Sequence, residues 1–298
     1  MGEELIKRLG EERVRKNEPM SLHTQMKVGG PADFYYEAQS AKELEDAVRF
    51  AIESRLPYTV IGNGANVLVS DKGIRGLVIA SRANQVKFLP HGFVEAESGV
   101  DNNVLIMEAA KNGLTGVERL MKVPGTVGGA VFMNAGDTGK GEFFGDLVES
   151  VRVIGEEGKV KTLAHDEANF SYRSSRFQTS GEVILSAKIL LKQAAQAEIE
   201  AKVKDILIRK VNHPAGATVG STFKNPENYH SGELIEKSDL KGTKIGGAKI
   251  SEKHGNFIIN EGNATASDVK DLIDLMKKTV KDKFGVNLEE EVRYIGKW

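Results

Sequence analysis

The chain has 298 residues, of which 40% are hydrophobic and 28% are charged, a composition typical of a folded globular protein with two or three packed units. It has no cysteine, which excludes disulfides, thiolate nucleophiles, iron–sulfur clusters and cysteine-bound zinc, so any redox chemistry needs a bound organic cofactor. The 41 basic and 42 acidic residues nearly cancel, which argues against a nucleic acid partner.

The sequence shows no targeting or membrane segment. The first twenty residues are rich in Glu, Lys and Arg and contain no apolar stretch of the kind found in a secretory signal. The longest apolar run, residues 183–191, is interrupted by polar residues and is too short to span a bilayer. We therefore expect a cytoplasmic protein that does not insert into a membrane.

The first predicted elements are a helix and two short strands. Ser40 and Glu43 form a capping-box pattern, and apolar residues then recur at helical spacing until Pro57. Residues 58–61 and 67–69 predict strands on either side of a glycine-bearing loop.

The middle of the chain, from Gly76 to Leu191, predicts an α+β unit. One helix is expected from near Asp101 to Gly113, a residue type that often ends helices. The remaining short apolar runs predict strands at 77–80, 86–89, 94–96, 148–154, 160–163 and 183–190.

A new lobe is predicted from residue 193, because the composition changes there to Ala, Glu, Lys and Ile. Apolar residues at helical spacing from Ile199 to Leu207 predict one helix. A second helix is expected after Thr265, with Gly285 just past its end.

Two glycine-bearing segments are candidate ligand-binding loops. In the first, residues 62–66, a strand follows and Val67 takes the place of the third glycine of a dinucleotide fingerprint, which excludes that motif. Its backbone amides could still cradle a pyrophosphate, although an ordinary hairpin turn is the default interpretation.

The second segment, Pro124 to Gly136, has four glycines among apolar residues, which suggests backbone lying flat against a rigid ligand such as a flavin. Tight packing of two strands is the alternative.

Two further segments carry polar side chains suited to a substrate. Phe170 to Phe177 combines aromatic rings and hydroxyls with Arg173, which could hold a carboxylate bidentately, or the segment could be an exposed loop. Gly220 to Pro226 offers a hydroxyl, a cation and an amide beside a glycine, and a plain turn explains it equally well.

Taken in order, seven segments resemble successive signatures of the UDP-N-acetylenolpyruvoylglucosamine reductases. They are residues 24–31, 62–68, 124–136, 170–177, 220–226, 245–257 (with Ser251, His254, Asn256 and Phe257) and 288–296. Together they cover essentially the whole chain. The span from Arg173 to Ser221 has no room for the inserted tyrosine loop of the longer type, so the chain resembles the shorter, second type.

The resemblance implies an α+β protein with a split FAD-binding fold of the vanillyl-alcohol-oxidase (PCMH) type in two lobes, 1–75 and 76–192, and a C-terminal α+β substrate-binding lobe, 193–298. It also implies a reaction. NADPH would reduce FAD, which would then reduce a small UDP-sugar, UDP-N-acetylenolpyruvoylglucosamine, to UDP-N-acetylmuramate in peptidoglycan precursor synthesis.

Roles for individual residues follow from the same resemblance. Arg173 would neutralise the substrate carboxylate, Ser221 would donate a proton to the substrate carbanion, and Glu291 would stabilise that intermediate. The UDP-sugar would be held by Tyr172, Lys224, Asn225 and either Arg209 or Lys210. FAD would be held by Gly62, Asn63, Gly64, Ala65, Asn66, Pro124, Gly125, Thr126, Gly128, Gly129, Asn134 and Gly136. Ala65 stands where the family usually has serine, which removes one possible hydroxyl contact to the FAD pyrophosphate.

Two other hypotheses are kept. A flavin oxidase or dehydrogenase of the same fold would act on another alcohol or sugar, would need no acid at Ser221, and often carries a flavin attached through histidine. A nucleotide-sugar binding protein would have kept the pockets without the chemistry, which the presence of Arg173, Ser221 and Glu291 disfavours.

Overall fold

The computed structural model describes residues 2–211 and 213–298, which form seven α-helices and eighteen β-strands. The helices are α1 (Gly2–Leu9), α2 (Ala41–Glu53), α3 (Asn102–Lys111), α4 (Val127–Met133), α5 (Gln196–Arg209), α6 (Ser231–Lys237) and α7 (Ala266–Phe284). The strands are β1 (Val14–Pro19), β2 (Pro31–Ala38), β3 (Tyr58–Ile61), β4 (Val67–Val69), β5 (Ile74–Ser81), β6 (Val86–Phe88), β7 (Phe93–Glu97), β8 (Leu114–Thr115), β9 (Gly136–Asp137), β10 (Glu142–Phe143), β11 (Val148–Ile154), β12 (Val160–Ala164), β13 (Val183–Leu190), β14 (Lys192–Gln193), β15 (Lys244–Ile245), β16 (Ala248–Ile250), β17 (Ile258–Asn260) and β18 (Arg293–Ile295).

The chain divides into two compact units, each assembled from separate segments. The first comprises Met1–Lys16, Phe34–Asn63 and Gly76–Val211. The second comprises Asn17–Asp33, Gly64–Arg75 and Asn212–Trp298. The three lobes expected from the sequence, 1–75, 76–192 and 193–298, are a different division and stay a prediction. In particular, α5 follows the expected boundary near residue 192 but belongs to the first unit.

Two sheets form the frame of the first unit. A four-stranded sheet has the order β1-β2-β5-β3, and a five-stranded sheet has the order β12-β11-β13-β7-β6. Strand β13 serves two apolar cores, because Val183 and Leu185 belong to the cluster around α2, while Ala187 and Ile189 belong to the cluster around α3 and α4. Burial on both faces explains why this strand is apolar at nearly every position.

The second unit packs α7 against the three-stranded sheet β15-β16-β17. The parallel pair β4 and β18 joins the segment at residue 67 to the end of the chain. Helix α7 begins with a capping box between Thr265 and Asp268 and ends at Gly285, which has φ +71°. The Asp71 carboxylate accepts hydrogen bonds from the Ala266 amide at 2.8 Å and the Ser267 amide at 2.9 Å, so it also caps this helix.

The locally encoded elements occur where the sequence predicts them, with two differences. Ser40 Oγ accepts the Glu43 amide at 3.2 Å as expected, but the Glu43 carboxylate binds the Gln39 amide and Arg13 instead of completing the box on Ser40. Residues 127–133 of the second glycine segment form α4 with Thr126 as its N-cap, a helix that the sequence did not predict, and the expectation that this backbone lies against a ligand stays a prediction. Among the described residues, no helix combines the length and the apolar character needed to cross a membrane.

Glu182 is a buried carboxylate of the first unit that pairs with two cations. Its side chain is 5% exposed and contacts Lys161 at 2.6 Å, Arg176 at 3.0 Å and Ser180 at 2.7 Å. Burial by itself raises the pKa of Glu182, but hydrogen bonds from Lys161 and Ser180 and the charge of Arg176 outweigh it, so the net pKa lies below the usual range.

Glu182→Gln should lower the free energy of unfolding by about 1–3 kcal/mol at neutral pH, because Lys161 and Arg176 lose their anion. Urea denaturation measures this effect. Since the pKa is lowered in the folded state, the difference from wild type should shrink as the pH falls below about 4.3. Glu233→Gln, at a fully exposed pair with Lys237, is the control and should leave stability unchanged. Equal effects of the two variants would contradict the assignment.

Candidate active site

Two glycines of the first glycine loop, Gly62 and Gly64, lie so close to neighbouring residues that a side chain would collide with them. A Cβ on Gly62 would lie 2.5 Å from Thr126 Oγ1, so within the first unit this loop touches the second glycine segment. In the second unit, Gly64 has φ +61°, and a Cβ there would lie 2.2 Å from the His23 carbonyl oxygen. Small residues at these positions are therefore a steric requirement.

The amides of this loop are available to a ligand. None of the backbone N–H groups from Gly62 to Asn66 donates a hydrogen bond to any residue in 2–211 or 213–298. The Gly62 carbonyl accepts Arg82 Nη1 at 2.9 Å, and Asn63 Nδ2 donates to Asp101 Oδ2 at 3.1 Å, which holds the start of the loop in place. Consecutive amides without a protein acceptor suit an anionic group such as a pyrophosphate.

The second glycine segment has one open position. A Cβ on Gly128 would lie 2.9 Å from both Cβ and the carbonyl oxygen of Ser98, so this glycine is needed for packing. A Cβ on Gly129 would meet only Thr126 Oγ1, at 3.7 Å, and this residue is exposed. The space beside Gly129 in the first turn of α4 is therefore open. Within the first unit, this open space and the amides of Gly62 and Asn63 fit FAD.

Other residues of the second segment stabilise the chain itself. Asn134 has φ +45°, and its side chain donates to the Ser171 carbonyl at 2.9 Å and accepts the Gly145 amide at 2.8 Å. A Cβ on Gly136 would lie 2.2 Å from the Glu142 carbonyl oxygen. For Gly128, Asn134 and Gly136 the packing interpretation of this segment therefore accounts for the residue type.

Arg173 faces the end of the second segment. It has φ +53°, and its Nη2 donates to the Gly136 carbonyl at 3.2 Å and to Thr138 Oγ1 at 3.3 Å. The guanidinium carbon lies 5.9 Å from the ring centres of both Phe143 and Tyr172. Arg173 and the exposed Tyr172, both expected at the substrate, are thus brought together in the first unit.

Arg209 is bound to two carboxylates. Its Nη1 lies 2.5 Å from Asp137 Oδ2 and its Nε lies 3.2 Å from Asp205 Oδ2. Burial raises the pKa of Asp137, but the hydrogen bond and charge of Arg209 outweigh this, so the pKa lies below the usual range. A guanidinium with two anionic partners is less suited to a substrate phosphate than the sequence suggested.

The segment that carries Ser221 is held by the side chain of Asn256, in the second unit. Asn256 Oδ1 accepts the Phe223 amide at 2.9 Å, and its Nδ2 donates to the Phe223 carbonyl at 2.8 Å. The Thr222 amide donates to the Asn256 carbonyl at 2.8 Å, and Ser221 forms an antiparallel bridge with Phe257. The partly exposed Ser221 hydroxyl makes no hydrogen bond to a described residue, which leaves it available to a ligand.

Glu291 is brought beside the Ser221 segment by its backbone. Its amide donates to the Thr222 carbonyl at 2.8 Å, and its carbonyl accepts Asn66 Nδ2 at 2.9 Å. The two preceding acids form ion pairs, Glu289 with Lys224 at 2.6 Å and Glu290 with Lys277 at 2.7 Å. Glu289 and Glu290 are thus held by two different lysines.

The two expected ligands after Ser221 also have protein contacts. Lys224 binds Glu289, as above, and Asn225 Oδ1 accepts the Ser231 amide at 3.1 Å at the start of α6. Sequence reasoning assigned no role to Asp137 or Asp101 and gave Asn256 none beyond a place in a signature. Their signals are weak, since each is a single polar residue whose partner lies far along the chain.

Comparison with known proteins decides the family. A family model described as "FAD binding domain" matches residues 32–164, and one described as "UDP-N-acetylenolpyruvoylglucosamine reductase, C-terminal domain" matches residues 210–295. The UDP-N-acetylenolpyruvoylglucosamine reductase of Lachnoclostridium phytofermentans is 42% identical, over 99% of this chain and 96% of that protein. The chain belongs to the UDP-N-acetylenolpyruvoylglucosamine reductase family. The enzyme of Carboxydothermus hydrogenoformans is also 42% identical, over 99% of this chain and 97% of its own length.

Solved structures support the family assignment and the fold. The UDP-N-acetylenolpyruvylglucosamine reductase of Thermus caldophilus matches with a TM-score of 0.82 and 32% identity, covering 95% of this chain and 99% of that chain. Phl p 4, a grass pollen allergen with glucose dehydrogenase activity, matches with a TM-score of 0.51 and 13% identity over 64% of this chain and 44% of its own, which is likeness of fold alone. The predicted α+β split FAD-binding fold and the predicted family are confirmed.

The neighbouring glycines of α4 allow a test of FAD placement. Gly129→Val should abolish flavin retention while the apoprotein keeps its melting temperature, because a Cβ at this position enters the open surface and meets only Thr126 Oγ1. Gly128→Ala should instead lower the melting temperature of the apoprotein, since its Cβ collides with Ser98. Flavin content from visible absorbance and thermal melts of apoprotein separate the two. A Gly129→Val protein that purifies with wild-type flavin content would show that FAD does not cover this turn.

Proposed function

We propose that this protein catalyses the FAD-mediated, NADPH-dependent reduction of UDP-N-acetylenolpyruvoylglucosamine to UDP-N-acetylmuramate. The observation that carries the proposal is the match to reductases of this name over nearly the whole length of both chains. The Ser221 and Glu291 segments, joined by a backbone hydrogen bond, support it further. We also propose a cytoplasmic location, because NADPH and nucleotide sugars are cytoplasmic metabolites.

The protein groups would act on substrate charge and on one proton. Bound FAD would supply hydride transfer from NADPH to the enolpyruvyl double bond. Ser221 would donate its hydroxyl proton to the carbon that becomes carbanionic, as a general acid. Arg173 would neutralise the substrate carboxylate as charge builds up on it, and Glu291 would stabilise the same intermediate.

The proposal assigns ligands to each unit. In the first unit, FAD would contact Gly62, Asn63 and the open surface at Gly129, with Pro124, Gly125 and Thr126 alongside. In the second, Gly64, Ala65 and Asn66 would complete the amide loop. Lys224 and Asn225 would contact the UDP-sugar, which requires Lys224 to leave Glu289 or to share it.

A visible spectrum of the purified protein is the first test. The spectrum should be that of an oxidised flavin, it should bleach on anaerobic addition of NADPH, and it should recover on addition of the enolpyruvyl UDP-sugar. Acid precipitation should release all the colour, since neither glycine loop contains a histidine or cysteine able to attach the flavin. Colour that stays with the pellet, together with no recovery by the UDP-sugar, would favour the oxidase hypothesis.

Ser221→Ala should separate the two half-reactions. Flavin reduction by NADPH should keep its rate, while reduction of the UDP-sugar falls by about 10²- to 10⁴-fold, because only the second step uses the proton. Ser221→Cys should restore part of the lost rate. Stopped-flow absorbance measures both steps. Equal slowing of both steps in Ser221→Ala would mean that Ser221 is a structural or cofactor-positioning residue.

Asn256→Ala should mimic part of this effect through misplacement of Ser221. Its side chain makes both hydrogen bonds to Phe223, so its loss should shift the segment and lower kcat for the UDP-sugar by about 10²-fold, with flavin reduction unchanged. Asn256→Asp keeps the acceptor for the Phe223 amide and should lose less. Asn103→Ala, at an exposed position of α3, is the control. Wild-type kcat in Asn256→Ala would refute the positioning role.

A further inference from the structure

His254 begins a tight turn in the second unit that ends at Phe257. The Asn256 amide donates to His254 Nδ1 at 3.2 Å, and the Phe257 amide donates to the His254 carbonyl at 3.2 Å. The remaining amide of the turn, that of Gly255, donates to Glu236 Oε1 at 3.2 Å. His254 therefore accepts two of the three amides of this turn, one of them with its ring.

The same turn holds the segment that carries Ser221. The Asn256 side chain makes both of its hydrogen bonds to the backbone of Phe223. Phe257 pairs with Ser221 itself in an antiparallel bridge. The two residues that fix the Ser221 segment are thus the two whose amides His254 accepts.

The His254 ring is half-buried and packed on several sides. Its centre lies 4.9 Å from the ring centre of Phe257 and 5.8 Å from that of His213, both in edge-on arrangements. A Cβ on Gly232 would lie 2.7 Å from His254 Cε1, so α6 has a glycine where the ring approaches it. These contacts restrict rotation of the ring and keep Nδ1 at the Asn256 amide.

The hydrogen bond to the ring requires one protonation state. A histidine Nδ1 accepts a hydrogen bond only in the neutral ring that carries its proton on Nε2. Burial lowers the pKa of His254; Glu236 acts in the opposite direction, and Lys241 lowers it further. His213 is the other titratable group against the ring. The ring is therefore neutral at neutral pH, and a proton added to Nδ1 in acid would remove the acceptor.

We propose that His254 is a positioning residue for Ser221, because its ring nitrogen accepts the Asn256 amide and so holds the turn that fixes the proton donor. The inference rests on the proposed function, in which Ser221 protonates the substrate. Asparagine side chains accept the amide two residues ahead in the same way, so asparagine should replace His254 where alanine does not. Since only the neutral ring accepts the amide, substrate reduction should slow as the pH falls below about 6.5.

Kinetics of the substrate half-reaction test this proposal. Enzyme reduced by light, without NADPH, is mixed anaerobically with the enolpyruvyl UDP-sugar, and flavin reoxidation is followed by stopped-flow absorbance. His254→Ala should slow reoxidation by about 10- to 100-fold at about pH 8, while flavin reduction by NADPH keeps its rate. His254→Asn should recover most of the loss. His91→Asn, the same change at an exposed histidine of the first unit, is the control and should behave as wild type.

The pH profile distinguishes this role from a packing defect. Reoxidation should slow below about pH 6.5 in wild type and in His91→Asn. His254→Asn should lack this acid limb, because asparagine does not titrate. A wild-type reoxidation rate in His254→Ala, an asparagine variant as slow as the alanine variant, or an unchanged acid limb in His254→Asn would overturn the proposal.

The protonation state of the ring can be measured without turnover. In protein labelled with nitrogen-15 histidine, the His254 signals are identified by their loss in His254→Asn. They should show a neutral ring protonated on Nε2 at about pH 7.5, and a ring protonated on Nδ1 would refute the proposal. If His254→Ala does not fold, the rate and pH profile of His254→Asn decide together with these signals. Failure of the proposed function is seen separately, as reduced wild-type flavin that the UDP-sugar does not reoxidise.

Discussion

The backbone hydrogen bond from the Glu291 amide to the Thr222 carbonyl is the constraint on which the second unit's chemistry depends. It ties the end of the chain to the segment of Ser221, while the Asn256 side chain holds the other side of that segment through Phe223. These contacts use backbone groups and the Asn256 side chain, so the Ser221 hydroxyl makes no hydrogen bond to a described residue. A general acid needs this combination of fixed position and available proton. The Asn66 side chain, in the first glycine loop, donates to the Glu291 carbonyl, so the end of the chain also contacts this loop.

In the first unit the candidate site residues are held mainly by contacts of charged side chains, whereas in the second unit they are held by backbone hydrogen bonds. Asp137 lies between Gly136 and Thr138, the two residues that accept hydrogen bonds from Arg173, and its own carboxylate binds Arg209. One short strand thus organises two arginines. Lys210 completes the group as a buried ammonium whose Nζ donates to the Met121 carbonyl and makes no ion pair with the described residues.

The two glycine segments show how one residue type serves different physical needs. Gly62, Gly64 and Gly128 are required because another part of the chain occupies the space of a Cβ. Gly129 has free space at the same point, which a ligand can use. The packing interpretation of the second segment therefore holds at Gly128, while the flavin interpretation stays a prediction at Gly129. The sequence pattern could not separate them, because the colliding atoms belong to Ser98, which is distant along the chain.

The sequence by itself determined the local elements and, from several segments taken together, the family. Strands 148–154 and 183–190 and helix α7 follow from apolar periodicity and end signals, and the family follows from seven segments in order. Tertiary structure alone decided the division into two units, the helix inside the second glycine segment, the carboxylate partners of Arg209, and the lysine partners of Glu289 and Glu290. Each of these depends on pairing between residues far apart in the chain or on competition among neighbours of the same type. Periodicity and spacing carry no information about such pairings, since they describe one segment at a time.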